Sequence, residues 1–254
     1  MTGYGVQTLF VREVRRFMRV PGQTLAAPLV STGLYLLVFG YALGNRLKMM
    51  HGVPYLEYIT PGLVMLGVIT NAFLNSTSSM IGMKFQGTLV DLLVTPLSHL
   101  EISVAMIGAA VVRGVLVGSL TWAVAVLAQG QLHVAHPLLA LAFPILSGIG
   151  LGALGLLTGI WAEKFEQVNF VPTFLIMPLT FLGGVFYDVR ELPEPFSTIS
   201  HLNPILYLVE GMRFGLIGSS GVDPMIGLGF VSGLDALAVL ACVLVLRSGW
   251  KLRV

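Results

Sequence analysis

Six runs of about 20 predominantly apolar residues occur in this 254-residue chain, and they constrain its fold more than any other feature. The hydrocarbon core of a bilayer is about 30 Å thick, and a helix that rises about 1.5 Å per residue crosses it in roughly 20 residues. Only two of the runs contain an ionisable residue, Arg113 in the third and Asp235 in the sixth. The runs are residues 25–44, 59–80, 102–127, 138–160, 168–187 and 225–246. The sequence therefore predicts an all-α integral membrane protein with six transmembrane helices in a single domain, residues 1–254.

Composition excludes the main alternatives to a membrane protein. Only 10% of the residues are charged and 56% are hydrophobic, whereas a soluble domain carries about 25% charge and a disordered chain combines high charge with low hydrophobicity. The net charge of +2 is too small to indicate a nucleic-acid partner. The single cysteine, Cys242, cannot form an internal disulfide.

Motifs for catalysis and for metal binding are absent from the sequence. It contains no G-x-x-x-x-G-K-[ST] loop for phosphates, no H-E-x-x-H, no G-x-S-x-G and no Cys/His cluster. The five histidines lie in or beside connections without ligand spacing, so no metal site is predicted. We expect a protein that is not an enzyme and that holds no cofactor itself.

Lysine and arginine in the connections predict the orientation, because these residues are retained on the cytoplasmic side. With the N-terminus inside, nine basic residues are inside and four outside. The inside set is Arg12, Arg15, Arg16, Arg19, Lys84, Lys164, Arg247, Lys251 and Arg253, and the outside set is Arg46, Lys48, Arg190 and Arg213. Both termini are predicted to be cytoplasmic. The first apolar run is longer than the 7–15 residues of a signal-peptide core, so we expect it to remain as an anchor.

Small residues four apart indicate where helices pack closely, since lipid supplies no hydrophobic drive between helices. A ladder of four glycines marks the fourth span, and three shorter pairs mark the third, first and sixth. These glycines are Gly148, Gly152, Gly155 and Gly159, then Gly114 with Gly118, Gly40 with Gly44, and Gly229 with Gly233. All are predicted to form packing faces. Pro144, Pro172 and Pro178 predict kinks in the fourth and fifth spans.

A basic helix is predicted before the first span, over residues 6–20. Its apolar positions follow helical spacing and its arginines take the other face. The apolar set is Phe10, Val14, Phe17 and Met18, and the basic set is Arg12, Arg15, Arg16 and Arg19. Such a helix serves either as an anchor in anionic lipid or as a brace against a cytoplasmic partner.

The inner connection between the second and third spans, IGMKFQGTLVDLLVTPLS, predicts a short amphipathic helix that stops before Pro96. Its apolar stripe is Phe85, Leu89, Leu92 and Leu93, and its polar positions include Lys84, Thr88 and Asp91. The periodicity alone fits a helix lying flat under the bilayer equally well.

The outer segment, residues 188–224, is too apolar for a plain loop. Asn203 is a good N-cap and Pro204 suits the first helical position. The next 13 residues, which include Tyr207, are too few for a span but suit a re-entrant or interfacial helix. Glu210 and Arg213 are predicted to pair at i, i+3.

Four polar residues within the spans are candidates for function. Arg113 and Asp235 are predicted at similar depth, where they form an ion pair or a shared polar pocket, or contact the substrate. Asn71 and Asn75 belong to a polar patch on the second span, which either lines a passage or bonds to neighbouring helices.

Two segments make the chain similar to a known family. GVFYDVRELPEPFSTISHLNPILYLVEGMRFGLIG resembles the C-terminal signature of ABC-2 type permeases, and KFQGTLVDLLVTPLS resembles their cytoplasmic connection between spans two and three. The similarity covers nearly the whole chain and is closest to small bacterial inner-membrane permeases encoded apart from their ATPase.

The resemblance implies a fold, partners and sites. Two copies of the chain would form the pore, outer re-entrant helices would precede the last span, and two ATPase subunits, which hold ATP and Mg, would drive export of a glycan, a lipid-linked molecule or a drug. The region Lys84 to Leu93 would be the coupling helix, with a second contact at Glu163 to Gln167 and an interface helix at Leu9 to Arg19. The coupling positions are Lys84, Phe85, Thr88, Leu89, Asp91, Leu92, Glu163, Lys164 and Glu166.

Two other functions remain open on the residues alone. A secondary transporter or channel would need no ATPase. A membrane enzyme acting on lipid intermediates would need paired acids at one membrane face, which Glu57, Glu101 and Asp188 do not provide.

Overall fold

The computed structural model describes residues 2–39, 49–50, 52–130 and 134–252. Nearly all regular structure in these ranges is helical, with one two-stranded hairpin. The helices are α1 (Thr2–Met18), α2 (Ala27–Leu37), α3 (Tyr55–Phe85), α4 (Leu89–Leu93), α5 (His99–Gln129), α6 (Pro137–Trp161), α7 (Phe165–Val168), α8 (Met177–Leu182), α9 (Phe196–His201), α10 (Pro204–Ile217) and α11 (Pro224–Ser248). The hairpin pairs β1 (Met49–Met50) with β2 (Val53–Pro54) in antiparallel register.

Within the described residues, five helical stretches are long and apolar enough to cross a membrane. They are α3, α5, α6, the region Phe165–Leu182 that contains α7 and α8, and α11. These correspond to the second to sixth predicted spans and agree with the prediction of an all-α integral membrane protein. The first predicted span, residues 25–44, contains α2, and its residues 40–44 lie outside the described residues.

The helix α3 is the centre of the bundle. Of its most apolar 18 residues 78% are buried, compared with 17% in the fifth predicted span and 17% in α11. It packs mainly between α5 and α6. The exposed faces of the fifth predicted span and of α11 are apolar and include Phe174, Phe181 and Leu237, so they are suited to contact with lipid or with another membrane subunit.

The glycine ladder of α6 forms a packing face, as predicted, and it serves two neighbours. A Cβ added at Gly148 would lie 2.8 Å from Val111 Cα, and one at Gly152 would lie 2.9 Å from Ala110 Cβ, both on α5. A Cβ at Gly155 would overlap the carbonyl oxygen of Phe73, and one at Gly159 would lie 2.7 Å from Met80 Cβ, both on α3. The ladder therefore lets α6 pack closely against α3 and α5 together.

The other predicted glycine pairs differ in outcome. A Cβ at Gly114 would lie 3.1 Å from the Val68 oxygen, and one at Gly118 would lie 2.5 Å from Val68 Cγ2, so this pair is a packing face too. The prediction for Gly229 and Gly233 is wrong within one chain, because no heavy atom of the described residues lies within 4 Å of a Cβ built there. Gly40 and Gly44 lie outside the described residues.

Proline and local capping set the helix boundaries. A π-helical turn, Pro172–Ile176, occurs in the fifth predicted span where Pro172 removes a backbone donor. Helix α5 begins with a capping box, in which Ser98 Oγ accepts from the Glu101 N–H at 3.2 Å and Glu101 Oε2 accepts from the Ser98 N–H at 2.7 Å. It ends at Gly130, whose φ of 69° suits glycine.

Candidate functional site

The inner connection after α3 is organised differently from the single helix predicted over Lys84 to Leu93. Helix α3 continues through Lys84 and Phe85, and the chain turns at Gly87, which has a φ of 71°. Only then does α4 begin, at Leu89. Glycine adopts this left-handed conformation at little cost, so Gly87 divides the predicted helix in two.

Helix α4 has one buried and one exposed face. Leu89 and Leu92 are buried, as their predicted apolar stripe requires, and they join an inner apolar core that includes Leu9 and Ile102. Asp91 is exposed, and Thr88 precedes the helix.

Three apolar side chains near α4 are unexpectedly accessible. Phe85 is 54% exposed, Val90 54% and Val94 76%. Phe85 therefore does not share one helix face with Leu89 and Leu92, as the predicted apolar stripe requires, because Phe85 ends α3 and α4 runs in a new direction after Gly87. An apolar surface of this kind at the inner end of a bundle is typical of a contact site for another protein or for the membrane surface.

The second predicted coupling segment, Glu163 to Gln167, lies beside the first. The rings of Phe85 and Phe165 stack with their centroids 4.3 Å apart. Lys84 Nζ donates to the carbonyl oxygens of Ile160 and Ala162, the latter at 3.0 Å. Lys84 thus stabilises the unpaired carbonyls at the C-terminus of α6 and ties the two inner connections together.

The charged residues of this second segment are exposed. Glu163 pairs with Lys251 at 2.6 Å between Oε1 and Nζ, and the hydrogen bond and charge of Lys251 lower the pKa of the Glu163 carboxyl. Gln167 Oε1 accepts from the backbone N–H groups of Glu163 and Lys164, at 2.7 and 3.2 Å. Glu166 is solvent-exposed on α7. We call Phe85, Val90, Val94, Phe165 and Glu163 to Glu166 the inner docking surface.

Helix α1 buries a different face from the predicted one. Leu9, Glu13 and Phe17 are buried at i, i+4 and i+8. Phe17 agrees with the predicted stripe, but Met18 is 47% exposed. The helix packs along α5, and Glu13 also contacts Ser79 in the inner half of α3. The face that contacts the bundle is therefore centred on Glu13 and not on the predicted apolar stripe.

Glu13 is the functional candidate that sequence analysis missed. Its side chain is 2% exposed, and it accepts hydrogen bonds from Ser79 Oγ at 2.5 Å, Arg16 Nε at 3.0 Å and Arg12 Nη2 at 3.1 Å. Arg16 Nη2 also donates to the Asn75 oxygens, at 2.8 Å to the main chain and 3.1 Å to Oδ1. The sequence did contain a signal for its burial. Glu13 is four residues from both Leu9 and Phe17, so it lies on the same helix face as these two apolar residues.

Replacing Glu13 by glutamine is expected to loosen α1 from α3. The variant keeps the shape but removes the charge that Arg12, Arg16 and Ser79 share, and hydrogen bonds to charged groups contribute about 1.5–3 kcal/mol each. Hydrogen exchange of the α1 amides in detergent should accelerate over residues 9–17. Glu166→Gln, an exposed carboxylate on the same side, is the control, and unchanged α1 exchange in Glu13→Gln would contradict this role.

The mid-membrane polar residues occupy two separate places. Arg113 Nη2 donates to Asn71 Oδ1 at 3.3 Å, between α5 and α3. Asp235 instead packs against Gly150 of α6, and within the described part of the chain Asp235 Oδ2 is buried without a hydrogen-bond partner. The predicted Arg113–Asp235 ion pair is therefore wrong, because equal depth does not place two side chains on facing helix sides.

Asn71 and Asn75 are both buried, at 5% and 1% exposure. Together with Thr77, whose Oγ1 donates to the Gly155 oxygen at 2.9 Å, they make contacts between helices. This favours the interhelical interpretation of the polar patch within one chain.

The outer segment contains the predicted helix α10. Asn203 Oδ1 accepts from the Ile205 N–H at 3.0 Å, with Pro204 at the first position, as predicted. Tyr207 Oη donates to the His201 oxygen at 2.8 Å and so links α10 back to α9.

A buried ion pair holds α10 in place. Glu210 and Arg213 pair at i, i+3, which confirms the prediction. Arg213 is 1% exposed, donates to the Gly184 oxygen at 2.8 Å and lies 4.0 Å from the centroid of the Tyr58 ring. It thereby connects α10 to the outer end of α3 and to the chain after α8.

The loops around α10 contribute further polar contacts to the Glu210–Arg213 pair. Glu210 Oε2 accepts from the Gly221 N–H at 2.6 Å. Arg190 pairs with the buried Asp188 at 2.6 Å, and that hydrogen bond raises the pKa of Arg190. The outer ends of α3, α8 and α11 are thus bridged by one polar cluster around α10.

The sequence is similar to a known protein family and to several known proteins. A family model described as "ABC-2 type transporter" matches residues 4–217. The chain is 37% identical over 249 residues to the inner membrane transport permease YadH of Escherichia coli strain K12, covering 98% of this chain and 96% of that protein. It is 28% identical over 200 residues to nodulation protein J of Rhizobium leguminosarum bv. trifolii, covering 78% of this chain and 74% of that protein. The corresponding match to nodulation protein J of Sinorhizobium fredii strain NBRC 101917 / NGR234 is 25% identical over 200 residues, with coverage of 78% and 74%.

Proposed function

The chain belongs to the ABC-2 type transporter family, and from that premise we propose that it is the membrane subunit of an ATP-binding cassette exporter. It is a multi-pass inner-membrane transport permease. In the proposed complex a separate ATPase subunit binds and hydrolyses ATP with Mg, and the permease moves a glycan, a lipid-linked molecule or a drug-like molecule outward.

The inner docking surface is the observation that carries this proposal. It combines exposed apolar side chains on α4 and around it with the exposed charges of the second segment, and Phe85 and Phe165 join the two. A soluble partner that covered this surface would bury the apolar groups from water and contact both inner connections at once. A secondary transporter would have no ATPase subunit to bind at this surface.

Force from the partner would reach the spans through contacts already described. Leu89 and Leu92 seat α4 in the inner core, and Lys84 ties the end of α3 to the end of α6. Movement of α4 would therefore move α3 and α6 together, and these are the helices joined by the glycine ladder. Alternating access or gating then requires only a bundle with two stable arrangements.

The permease is proposed to work as a homodimer with six spans per copy and both termini in the cytoplasm. Helix α2 would supply the first span. The exposed apolar faces of α8 and α11 would contact the second copy or lipid. Helix α10, at 14 residues, is proposed as the re-entrant helix that covers the outer end of the passage.

The function is tested by changing the inner docking surface without changing the core. We expect Val90→Asp/Val94→Asp to weaken binding of the proposed ATP-binding cassette subunit by about 30-fold, because loss of a hot-spot contact at the centre of an interface costs about 2 kcal/mol or more. The measurement is co-purification of the two subunits after co-expression, together with ATP hydrolysis by the purified complex.

Leu202→Asp is the matched control for this variant. Leu202 is 75% exposed, compared with 76% for Val94, and lies on the proposed outer side. The control should retain the ATPase subunit. Full retention of that subunit by Val90→Asp/Val94→Asp would overturn the proposal and favour an ATPase-independent transporter or channel.

A further inference from the structure

A cavity of about 990 Å³ lies between α1 and the inner ends of α3 and α4. It is separate from the exposed apolar surface of Val90 and Val94, which do not line it. The lining is mostly polar or basic, and its charged members are Arg12, Glu13, Arg15, Arg16, Arg19 and Asp91.

The charge in this cavity is positive and only partly neutralised. Four arginines line it against two carboxylates. Glu13 is already engaged by Arg12 and Arg16. Arg15 and Arg19 are exposed, lie one helical turn apart, and make no side-chain hydrogen bond or ion pair with the described residues. The cavity thus presents two adjacent guanidinium groups without an anion.

The position of the cavity matches the headgroup level of the cytoplasmic leaflet. Ser78, Ser79 and Gly82 line it from the last turns of α3, where the second span is predicted to leave the membrane near residue 80. The apolar side chains of Met18 and Val20 flank Arg19 and are 47% and 52% exposed. A ligand here would have a charged part among the arginines and an apolar part beside the end of α1.

We propose that this cavity binds the phosphate of an anionic phospholipid from the cytoplasmic leaflet, and that Arg15 and Arg19 hold it. Guanidinium groups form paired hydrogen bonds with phosphate oxygens, and basic pockets at this depth attract anionic headgroups. A free phosphate would leave Met18 and Val20 without a contact, whereas a lipid at the predicted membrane edge brings its phosphate and its apolar part together, so the lipid is the favoured occupant.

A lipid in this cavity would contact two separate elements of the protein. Arg15 and Arg19 belong to α1, whereas Thr88 and Asp91, on the opposite wall, belong to the α4 region. The headgroup would therefore bridge the interface helix and the proposed coupling helix. Binding itself requires no ATPase, so this inference stands or falls separately from the proposed function.

The test uses the full-length permease in mixed micelles of phosphatidylglycerol and phosphatidylcholine, with bound lipid counted by native mass spectrometry. We expect the wild-type protein to prefer phosphatidylglycerol. Arg15→Gln/Arg19→Gln should lose about 25-fold in that preference, since two basic side chains near an anionic headgroup each contribute about fivefold. Both residues are exposed, so the variant should fold normally. Arg15→Lys/Arg19→Lys should retain part of the preference, because charge remains and only the paired geometry is lost.

Arg247→Gln is the matched control, since Arg247 is a basic residue at the inner end of α11 that does not line the cavity. It should keep the full preference. Three results would overturn the proposal: an unchanged preference in Arg15→Gln/Arg19→Gln, an equal loss in Arg247→Gln, or displacement of the lipid by an equimolar amount of inorganic phosphate, which would show that the apolar part of the lipid adds nothing to binding. Displacement by the purified ATPase subunit would also overturn it and assign the cavity to an acidic segment of that partner.

Discussion

Replacing Gly155 by leucine is expected to destabilise the bundle by about 3 kcal/mol, the upper end of the usual cost of overpacking. Any Cβ at this position would overlap the carbonyl oxygen of Phe73 and would come within 2.9 Å of Thr77 Oγ1. A backbone oxygen inside a helix cannot move aside as a side chain can. Helices α3 and α6 must therefore separate, which also breaks the hydrogen bond from Thr77 to the Gly155 oxygen. Thermal unfolding of the purified permease in detergent measures the loss.

Gly229→Leu provides the matched control for Gly155→Leu. It makes the same substitution in another membrane helix, where no described atom lies within 4 Å of the new Cβ. Its unfolding temperature should stay close to that of the wild-type protein. Equal destabilisation by the two substitutions would show that helix propensity or hydrophobic content, and not the contact between α3 and α6, determines the effect.

These two glycines illustrate what the sequence could and could not predict. A spacing of four between small residues places them on one side of a helix, so the existence of a packing face in α6 was predictable. The same spacing in α11 faces open space. Periodicity specifies a face of a helix but does not specify whether another helix covers it, since that depends on the arrangement of the whole bundle.

Five of the spans and the cap at Asn203 were predictable for a related reason. Length, apolar content and the preferences of Asn203 and Pro204 act locally along the chain, so their effects are visible in the sequence. The pair of Glu210 with Arg213 is also local, at i, i+3. In contrast, Arg113 and Asp235 lie on different helices, and their equal depth gave no information on the rotation of each helix about its axis.

The inner face shows the same division between local and distant information. The apolar stripe of α4 was predictable from Leu89 and Leu92. The position of Phe85 was not predictable from the sequence. The chain changes direction at Gly87, between α3 and α4, and the ring that stacks on Phe85 belongs to Phe165, 80 residues later in the chain. The burial of Glu13 depends on Ser79 of α3, so only the packed structure distinguishes it from an exposed acid on a basic helix.

Replacing Arg213 by methionine is expected to cost about 3–5 kcal/mol in the free energy of unfolding, the range found when one partner of a buried ion pair is removed. Methionine fills much of the volume but leaves the Glu210 carboxylate buried without its ion-pair partner on α10. The Gly184 oxygen also loses its donor, and Tyr58 loses the cation above its ring. Because these groups lie on three different segments, α10 should detach from the outer end of α3, and hydrogen exchange over residues 204–217 should accelerate.

A double-mutant cycle separates the ion pair from the other contacts of Arg213. Glu210→Met/Arg213→Met removes both charges, so it should be more stable than Arg213→Met alone, although the Gly221 N–H then loses its acceptor. Lys251→Met is the matched control, because Lys251 and Glu163 form an exposed pair that should contribute less than about 1 kcal/mol. If Arg213→Met proves no more harmful than Lys251→Met, Arg213 does not hold α10 against the bundle. If the double variant is less stable than Arg213→Met by the full cost of Glu210→Met, the two charges act independently, and α10 is then held by its apolar contacts and by the donors that Arg213 directs at Gly184.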